Sequence, residues 1–480
     1  MNSLKKKVIK GSLWVSSGSF AVQAINLVIK IFLARLLLPE DFGIFAMALI
    51  VITLLNLLSG FGIGGALIFR KKNMDKALNV AFFISPAIGV ILYIGTYALS
   101  GLVAVFFNVP VLSPIIKMIG ISFILDSFVV VPHAFLTKNL LFRQRSLAEF
   151  FPIMFYGATA VFLAYKGFGV WSLVISHIVQ HVFWVASLWF FCPWRPKLVF
   201  DRKVAVEMLH FGKYVFTSSF LAFLINYTDN AAIGKILGDK QLGYYSFAFN
   251  IAALPITAFI QFVSSVFHPI YSRLQDNKLM LKQAYLMSLK WVLLITLPIS
   301  GGLWVLADTF TISVFGAKWE SMIIILQLLS LYPFMKSISV LSSYLLEGVG
   351  QPKITTKIVF LQYLFILLTI IPTIIYYGIG GAACVIIIAL FFSTLAFMRA
   401  IAGVVMFNNA EYLKILWRPL VGTSLMVSIV YTFKMLILRS QDILSLILLA
   451  AAGTLSYGIL CIILDGKLLG EVKEMAKQVF

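Results

Sequence analysis

Charge is scarce in this chain. Only 12% of its 480 residues are Asp, Glu, Lys or Arg, and the acidic ones number 18. A soluble protein carries about twice that share, so a water-surrounded globule is excluded. Cysteine is scarcer: Cys192, Cys384 and Cys461 sit in or beside apolar runs without a C-x-x-C pairing. That excludes a disulfide framework and leaves them as packing residues. There is no G-x-x-x-x-G-K-[ST] phosphate loop, no Gly-rich dinucleotide turn after a strand and no H-E-x-x-H. An ATP-driven pump is therefore excluded. No loop is long enough for a soluble domain, and none clusters carboxylates as a polytopic glycosyltransferase would. We expect no enzyme activity, cofactor or resident metal.

What the chain does have is hydrophobicity: 61% of its residues, in runs of about 20 or more from end to end. A backbone in lipid must satisfy its own hydrogen bonds, so the runs predict an all-α polytopic membrane protein. We read about fourteen spans, near 12–38, 42–69, 77–107, 111–136, 146–165, 169–191, 208–236, 242–270, 284–307, 321–347, 353–376, 380–406, 413–437 and 443–465. The basic start is followed by an apolar run too long for a signal peptide and without a cleavage site, so it reads as a retained first helix.

The net charge of +20 is a matter of topology, not of nucleic acid. With the N-terminus in the cytoplasm, 28 of the 38 Lys and Arg fall on the cytoplasmic side and 8 opposite. This asymmetry predicts both termini in the cytoplasm and attraction to anionic membrane lipid. Trp14, Trp194, Trp319 and Trp417 lie near span ends, as interfacial anchors do. Pro255, Pro298, Pro333 and Pro372 mark expected kinks; His133 and His268, each beside a proline, are candidates to satisfy carbonyls freed by those breaks.

The sequence repeats itself. Leu33–Ala46 reads LARLLLPEDFGIFA, and 200 residues later Ile233–Ser246 reads IGKILGDKQLGYYS. Arg35 answers to Lys235, Gly43 to Gly243 and Phe45 to Tyr245, while Ser19, Phe20, Ile25 and Asn26 recur as Ser219, Phe220, Ile225 and Asn226. Six spans separate each element from its copy. An even number means both copies cross in the same direction, a parallel repeat about the membrane normal of the kind transporters rock around. The expected organisation is an N-lobe (1–203, spans 1–6), a C-lobe (204–407, spans 7–12) and an appended segment (408–480, spans 13–14 and tail).

The two lysines left out of the topological count, Lys30 and Lys336, lie deep within spans, as do Asp126 and Asp229. Lys30 is about 12 Å of helix rise from the span end, too far for easy snorkelling. A charge near a helix centre costs about 2.5–3.5 kcal/mol, so such groups face protein or a wet cavity. A weaker echo at offset 210 sets Asp126 opposite Lys336, and Lys30 aligns next to Asp229. Two readings follow. Either Lys30–Asp229 and Asp126–Lys336 are structural pairs between lobes, or the lysines line a cavity for an anionic group while the carboxylates couple to an ion. Asn26 and Asn226 are candidate cavity residues by their repeat. His177 and His181, at i, i+4 on span 6, share a face; with no carboxylate on that span they read as cavity donors or a titrating pair, not a metal site.

The motifs LARLLLPEDFGIFAMA, LLFRQRSLAEF, GDKQLGYYSFAFNIAALP, VFHPIYSRLQDN, VFGAKWESMIIILQLLSL and LLEGVGQPK, in this order and spacing, resemble the polysaccharide-exporting (Wzx-type) branch of the multidrug/oligosaccharidyl-lipid/polysaccharide (MOP) flippase superfamily. The resemblance covers almost the whole chain. It implies two six-helix lobes around a cationic cavity and a flippase that carries an undecaprenyl-diphosphate-linked oligosaccharide across a bacterial cytoplasmic (inner) membrane by alternating access. It further implies an ion gradient, of protons or sodium, with a polysaccharide polymerase and chain-length proteins as candidate partners. Alternatives are a drug/cation antiporter of the same superfamily, a peptidoglycan lipid precursor flippase, and a non-transporting scaffold of a polysaccharide synthesis complex. No site residue follows from the motifs, which are loop and packing motifs.

Overall fold

The computed structural model describes residues 22–60, 63–70, 73–197, 199–405, 409–436, 440–466 and 470, without the side chains of 59, 60, 66, 68, 69, 209–218, 221, 258–266 and 409. Trp14, Ser19, Phe20 and the first ten residues of span 1 lie outside it. Every regular element among the described residues is helical, as expected of a chain whose backbone must pair internally in lipid. The chain is a multi-pass membrane protein: eight described helices are long and apolar enough to cross a bilayer, and two bent pairs bring the number to ten.

Cα packing divides the chain into two compact units, Met1–Ser246 and Phe247–Phe480. The first holds α1 (22–36), α2 (Pro39–Gly60), α3 (Ile63–Phe69), α4 (Met74–Phe107), α5 (Leu112–Ile119), α6 (Ile121–Ser127), α7 (Val130–Lys138), α8 (Phe142–Tyr165) and α9 (Val170–Phe191). It also takes in the first part of α10 (Arg202–Arg273). Packing units and sequence repeat are thus different divisions of the chain. As one straight rod α10 would run about 108 Å, more than three hydrocarbon thicknesses, and it breaks at Gly238, whose φ of 84° suits a residue without Cβ. Span 4 is broken: Leu112–Ser127 and Val130–Lys138 meet at 44°.

The second unit holds the rest of α10, then α11 (Lys278–Phe310), α12 (Ile323–Leu329), α13 (Tyr332–Gly348), α14 (Pro352–Val405), α15 (Asn409–Leu436) and α16 (Ile443–Leu464). Helix α14 breaks at Gly378, φ 61°. The core of this unit lies between α11, α13 and the end of α14, around Tyr285, Leu289, Leu293, Leu341, Leu345 and Ile401.

Several expectations change here. Pro333 opens α13 rather than kinking it; in the first turn its missing N–H costs nothing, and the 41° bend falls just before it. Trp319 is no interfacial anchor. It is fully buried, 4.4 Å from Phe247 between ring centroids, in a 3-10 turn that folds it inward. His133 faces Glu149 (Nε2 to Oε1, 3.6 Å) and His268 packs edge-on against Tyr344, so neither serves a freed carbonyl among the described residues. All three cysteines are free.

Candidate functional site

Helix α9 carries a column of rings on one face. Phe45 of α2 packs edge-on to His177 at 6.0 Å, His177 lies 4.4 Å from His181, and His181 meets Trp184 at 6.0 Å, all between centroids. The spacing follows from helix geometry, since residues 177, 181 and 184 stand at i, i+4, i+7. Across from them, α6 presents Asp126, whose Oδ1 is 2.5 Å from His181 Nδ1. Both side chains are less than one-fifth exposed. The carboxylate missing from span 6 itself comes from span 4, which the sequence spacing alone did not reveal. His177 Nδ1, Trp184 Nε1, Ser85 Oγ and Ser122 Oγ are buried with no partner among the described residues. Such groups require water or a ligand.

Asp229 of α10 is buried and fully engaged: Tyr245 Oη donates to its Oδ2 at 2.7 Å, and Asn230 N and Nδ2 donate to its Oδ1 at 2.8 and 3.0 Å. Tyr245 is the repeat counterpart of Phe45, so equivalent aromatic positions back the two polar sites. Asn226 is exposed and turns its amide onto Ala222 O of its own helix.

Lys30 and Asn26 lie one turn apart on α1. A lateral groove of 1060 Å³ between α1 and α8 is lined by Ile25, Val28, Ile29 and Phe32. At 3.6 residues per turn Lys30 points roughly opposite to that groove. It makes no ion pair or hydrogen bond with a described residue, Asp229 included. Lys336 of the second unit is similar. It lies on the incompletely buried stripe of α13 with Val340, Ser343, Tyr344 and Glu347, away from the packed face of Met335, Ile338 and Leu345, and it too has no such partner there. Asp126 and Asp229 are thus engaged, and Lys30 and Lys336 have no partner among the described residues.

The sequence repeat has a direct structural meaning at one point. A Cβ placed on Gly43 would fall 1.8 Å from the carbonyl oxygen of Asp239; one on Gly243 would fall 1.9 Å from that of Pro39. Positions 39 and 239, and 43 and 243, are repeat equivalents. The exchange is what a two-fold contact between like elements produces. On the same contact Glu40 meets its own equivalent, Lys240, at 3.1 Å. That hydrogen bond and the Glu40 charge hold the Lys240 ammonium above the ordinary lysine range.

These features can be set beside known proteins. The model of the family described as "Polysaccharide biosynthesis protein" matches residues 32–324, more than half of the chain. The chain belongs to that family. The chain is 26% identical over 425 residues to the lipopolysaccharide biosynthesis protein WzxC of Escherichia coli, covering 87% of this chain and 85% of the relative. It is 25% identical to the succinoglycan biosynthesis transport protein ExoT of Rhizobium meliloti over 70% of this chain and 67% of that one. In fold it is similar to the lipid II flippase MurJ in an inward closed conformation, with a TM-score of 0.79, 16% identity, and 95% and 100% of the two chains covered. An inward-facing MATE transporter of the MOP superfamily follows with a TM-score of 0.64, 16% identity, and 80% and 95% coverage. The chain thus shares the fold of these two transport proteins.

Proposed function

We propose that this protein is a flippase that moves an undecaprenyl-diphosphate-linked oligosaccharide repeat unit across a bacterial cytoplasmic membrane, with both termini in the cytoplasm. The observation that carries the reading is the imbalance of engagement among intramembrane charges. Asp126 and Asp229 are occupied by His181, Tyr245 and Asn230, whereas Lys30 and Lys336 have no such partner among the described residues. Uncommitted positive charge suits a diphosphate crossing hydrocarbon. It disfavours a drug/cation antiporter, which would need uncommitted carboxylates. The similarity to proteins of polysaccharide biosynthesis and transport supports the same substrate class.

In this reading spans 1–6 and 7–12 are the two lobes. Turns at Gly238 and Gly378 and a first span continuing 22–36 bring the crossings to fourteen. Lys30 and Lys336 receive the diphosphate, Asn26 and Asn226 flank it, and the His177–His181–Asp126 group and Asp229 serve coupling to a proton or sodium gradient. The polyprenyl tail stays in lipid while the sugars pass through water. No covalent step is involved. A polymerase and chain-length proteins would receive the product.

The test is accumulation of lipid-linked oligosaccharide on the inner face of cells carrying Lys30→Ala or Lys336→Ala at wild-type protein level. Each variant is expected to lower export by about tenfold, the equivalent of 1.4 kcal/mol, with Lys→Arg variants restoring most of it. Export unaffected by both alanine variants together would overturn the reading and favour a scaffold.

A further inference from the structure

Helices α11, α15 and α16 line two adjoining pockets of different chemistry. One is a basic mouth of 140 Å³ lined by Lys290, Lys414, Arg418 and Asp465. Asp465, 8% exposed, draws in two of the cations: its Oδ2 is 2.9 Å from Lys290 Nζ and its Oδ1 is 3.0 Å from an Arg418 guanidinium nitrogen. Three cations against one carboxylate leave the mouth positive. Lys414 is exposed and has no ion-pair partner among the described residues.

Leu294 lines both this mouth and the other pocket, an apolar groove of 640 Å³ along the same three helices. The groove passes Pro298, Gly302, Met426, Leu449 and Gly453, and its one aromatic hydroxyl, on Tyr457, is spent on the Leu294 carbonyl at 3.0 Å. A Cβ on Gly302 would meet nothing within 4 Å, so the groove is open at that depth. Gly302 lies about 18 Å of helix rise beyond Lys290, close to the ~15 Å of one hydrocarbon leaflet. Ile295 and Ile447 on its rim are about half exposed, so the groove communicates with the bilayer.

We propose that this groove is a binding site for one membrane phospholipid with an anionic headgroup. The phosphate sits at Lys414 and Arg418, and an acyl chain runs past Leu294 to Gly302. Charge complementarity chooses the headgroup, because a basic pocket between helices on the side that the charge asymmetry assigns to the cytoplasm favours anionic lipid. The depth of the groove suits an acyl chain. The lipid fills the seam by which α15 and α16 attach to α11. This site is independent of the transport reading, and it stands or falls without any export assay.

Native mass spectrometry of the purified full chain, titrated with phosphatidylglycerol or phosphatidylcholine, tests it. Retention of one phosphatidylglycerol per chain, at least fivefold better than phosphatidylcholine, is expected. Lys414→Gln with Arg418→Gln should abolish that preference and leave phosphatidylcholine binding unchanged. Gly302→Phe, which fills open space in a helix, should lower retention of both lipids. Equal retention of the two lipids by the unaltered chain, or phosphatidylglycerol retention unmoved by all three substitutions, would overturn the site. Stoichiometric displacement of phosphatidylglycerol by undecaprenyl phosphate would assign the groove to the polyprenyl carrier and overturn the phospholipid assignment.

Discussion

Two glycines and one carboxylate show how little room single residues leave here. Gly43 and Gly243 each face a backbone oxygen that cannot withdraw without moving a helix end. Gly43→Ala and Gly243→Ala should each cost about 1–3 kcal/mol by overpacking, read as a lower unfolding temperature in detergent. Gly64→Ala, where a Cβ would meet nothing within 4 Å, should be neutral or slightly stabilising. Asp126 makes a second case. His181→Ala removes its hydrogen-bond partner and should lower stability by about 1–3 kcal/mol, while Asn226→Ala, which removes only a bond to its own helix, should leave it nearly unchanged. Equal unfolding temperatures for these two variants would mean that the Asp126–His181 pair is not formed. The pairing was only half legible in the sequence. The i, i+4 histidines were visible because helical spacing is local. The carboxylate that meets them comes from 55 positions earlier, and only packing of α6 on α9 brings it there.

At the level of elements, the attachment of α15 and α16 is the instructive case. Their apolar runs were plain in the sequence, but their polar ties to α11 were not, since each joins residues far apart in the chain. Lys434 meets Asp308 at 2.5 Å near one end of the seam. Lys282 meets Glu411 at 2.7 Å and Asp465 gathers Lys290 and Arg418 near the other. Burial alone would raise the Asp465 carboxyl, but hydrogen bonds and charge from Lys290 and Arg418 outweigh it and hold it below the usual carboxylate range. A depressed acid contributes stability that is present above its unfolded range and lost as pH falls through the lower folded value. Wild-type unfolding temperature should therefore drop on acidification through that window. Asp465→Asn should start lower at neutral pH and lose less on acidification, because the tie is already gone. Parallel pH curves for the two proteins would refute the assignment. The breaks at Gly238 and Gly378 belong to the same scale. The spans expected from the sequence are separated at 236–242 and 376–380, and the breaks fall inside those gaps at the glycines, because only a residue without Cβ adopts such φ angles cheaply.

For the whole molecule, if the proposed flippase works by alternating access, the contact at Glu40, Gly43, Lys240 and Gly243 has to open in each cycle, because it joins equivalent positions of the two sequence repeats. A Glu40→Cys, Lys240→Cys pair, in a background where Cys192, Cys384 and Cys461 are replaced by Ala, should be bridged by a short reducible bifunctional thiol reagent. Export should stop when the bridge forms and return when it is reduced, with neither single-Cys protein affected. Continued export in the bridged protein would mean that this contact does not move. The equivalence of positions 40 and 240, and of 43 and 243, was legible in the sequence because identical spacing survives at an offset of 200. How closely these positions approach was not, since that depends on backbone oxygens that carry no sequence signal.

The opposite signs of Glu40 and Lys240 have an electrostatic corollary. Were both positions to carry the same residue, the contact would set carboxylate against carboxylate or ammonium against ammonium. Acid at one position and base at the other turn that repulsion into attraction, so that Lys240→Glu would make the same surface push itself apart.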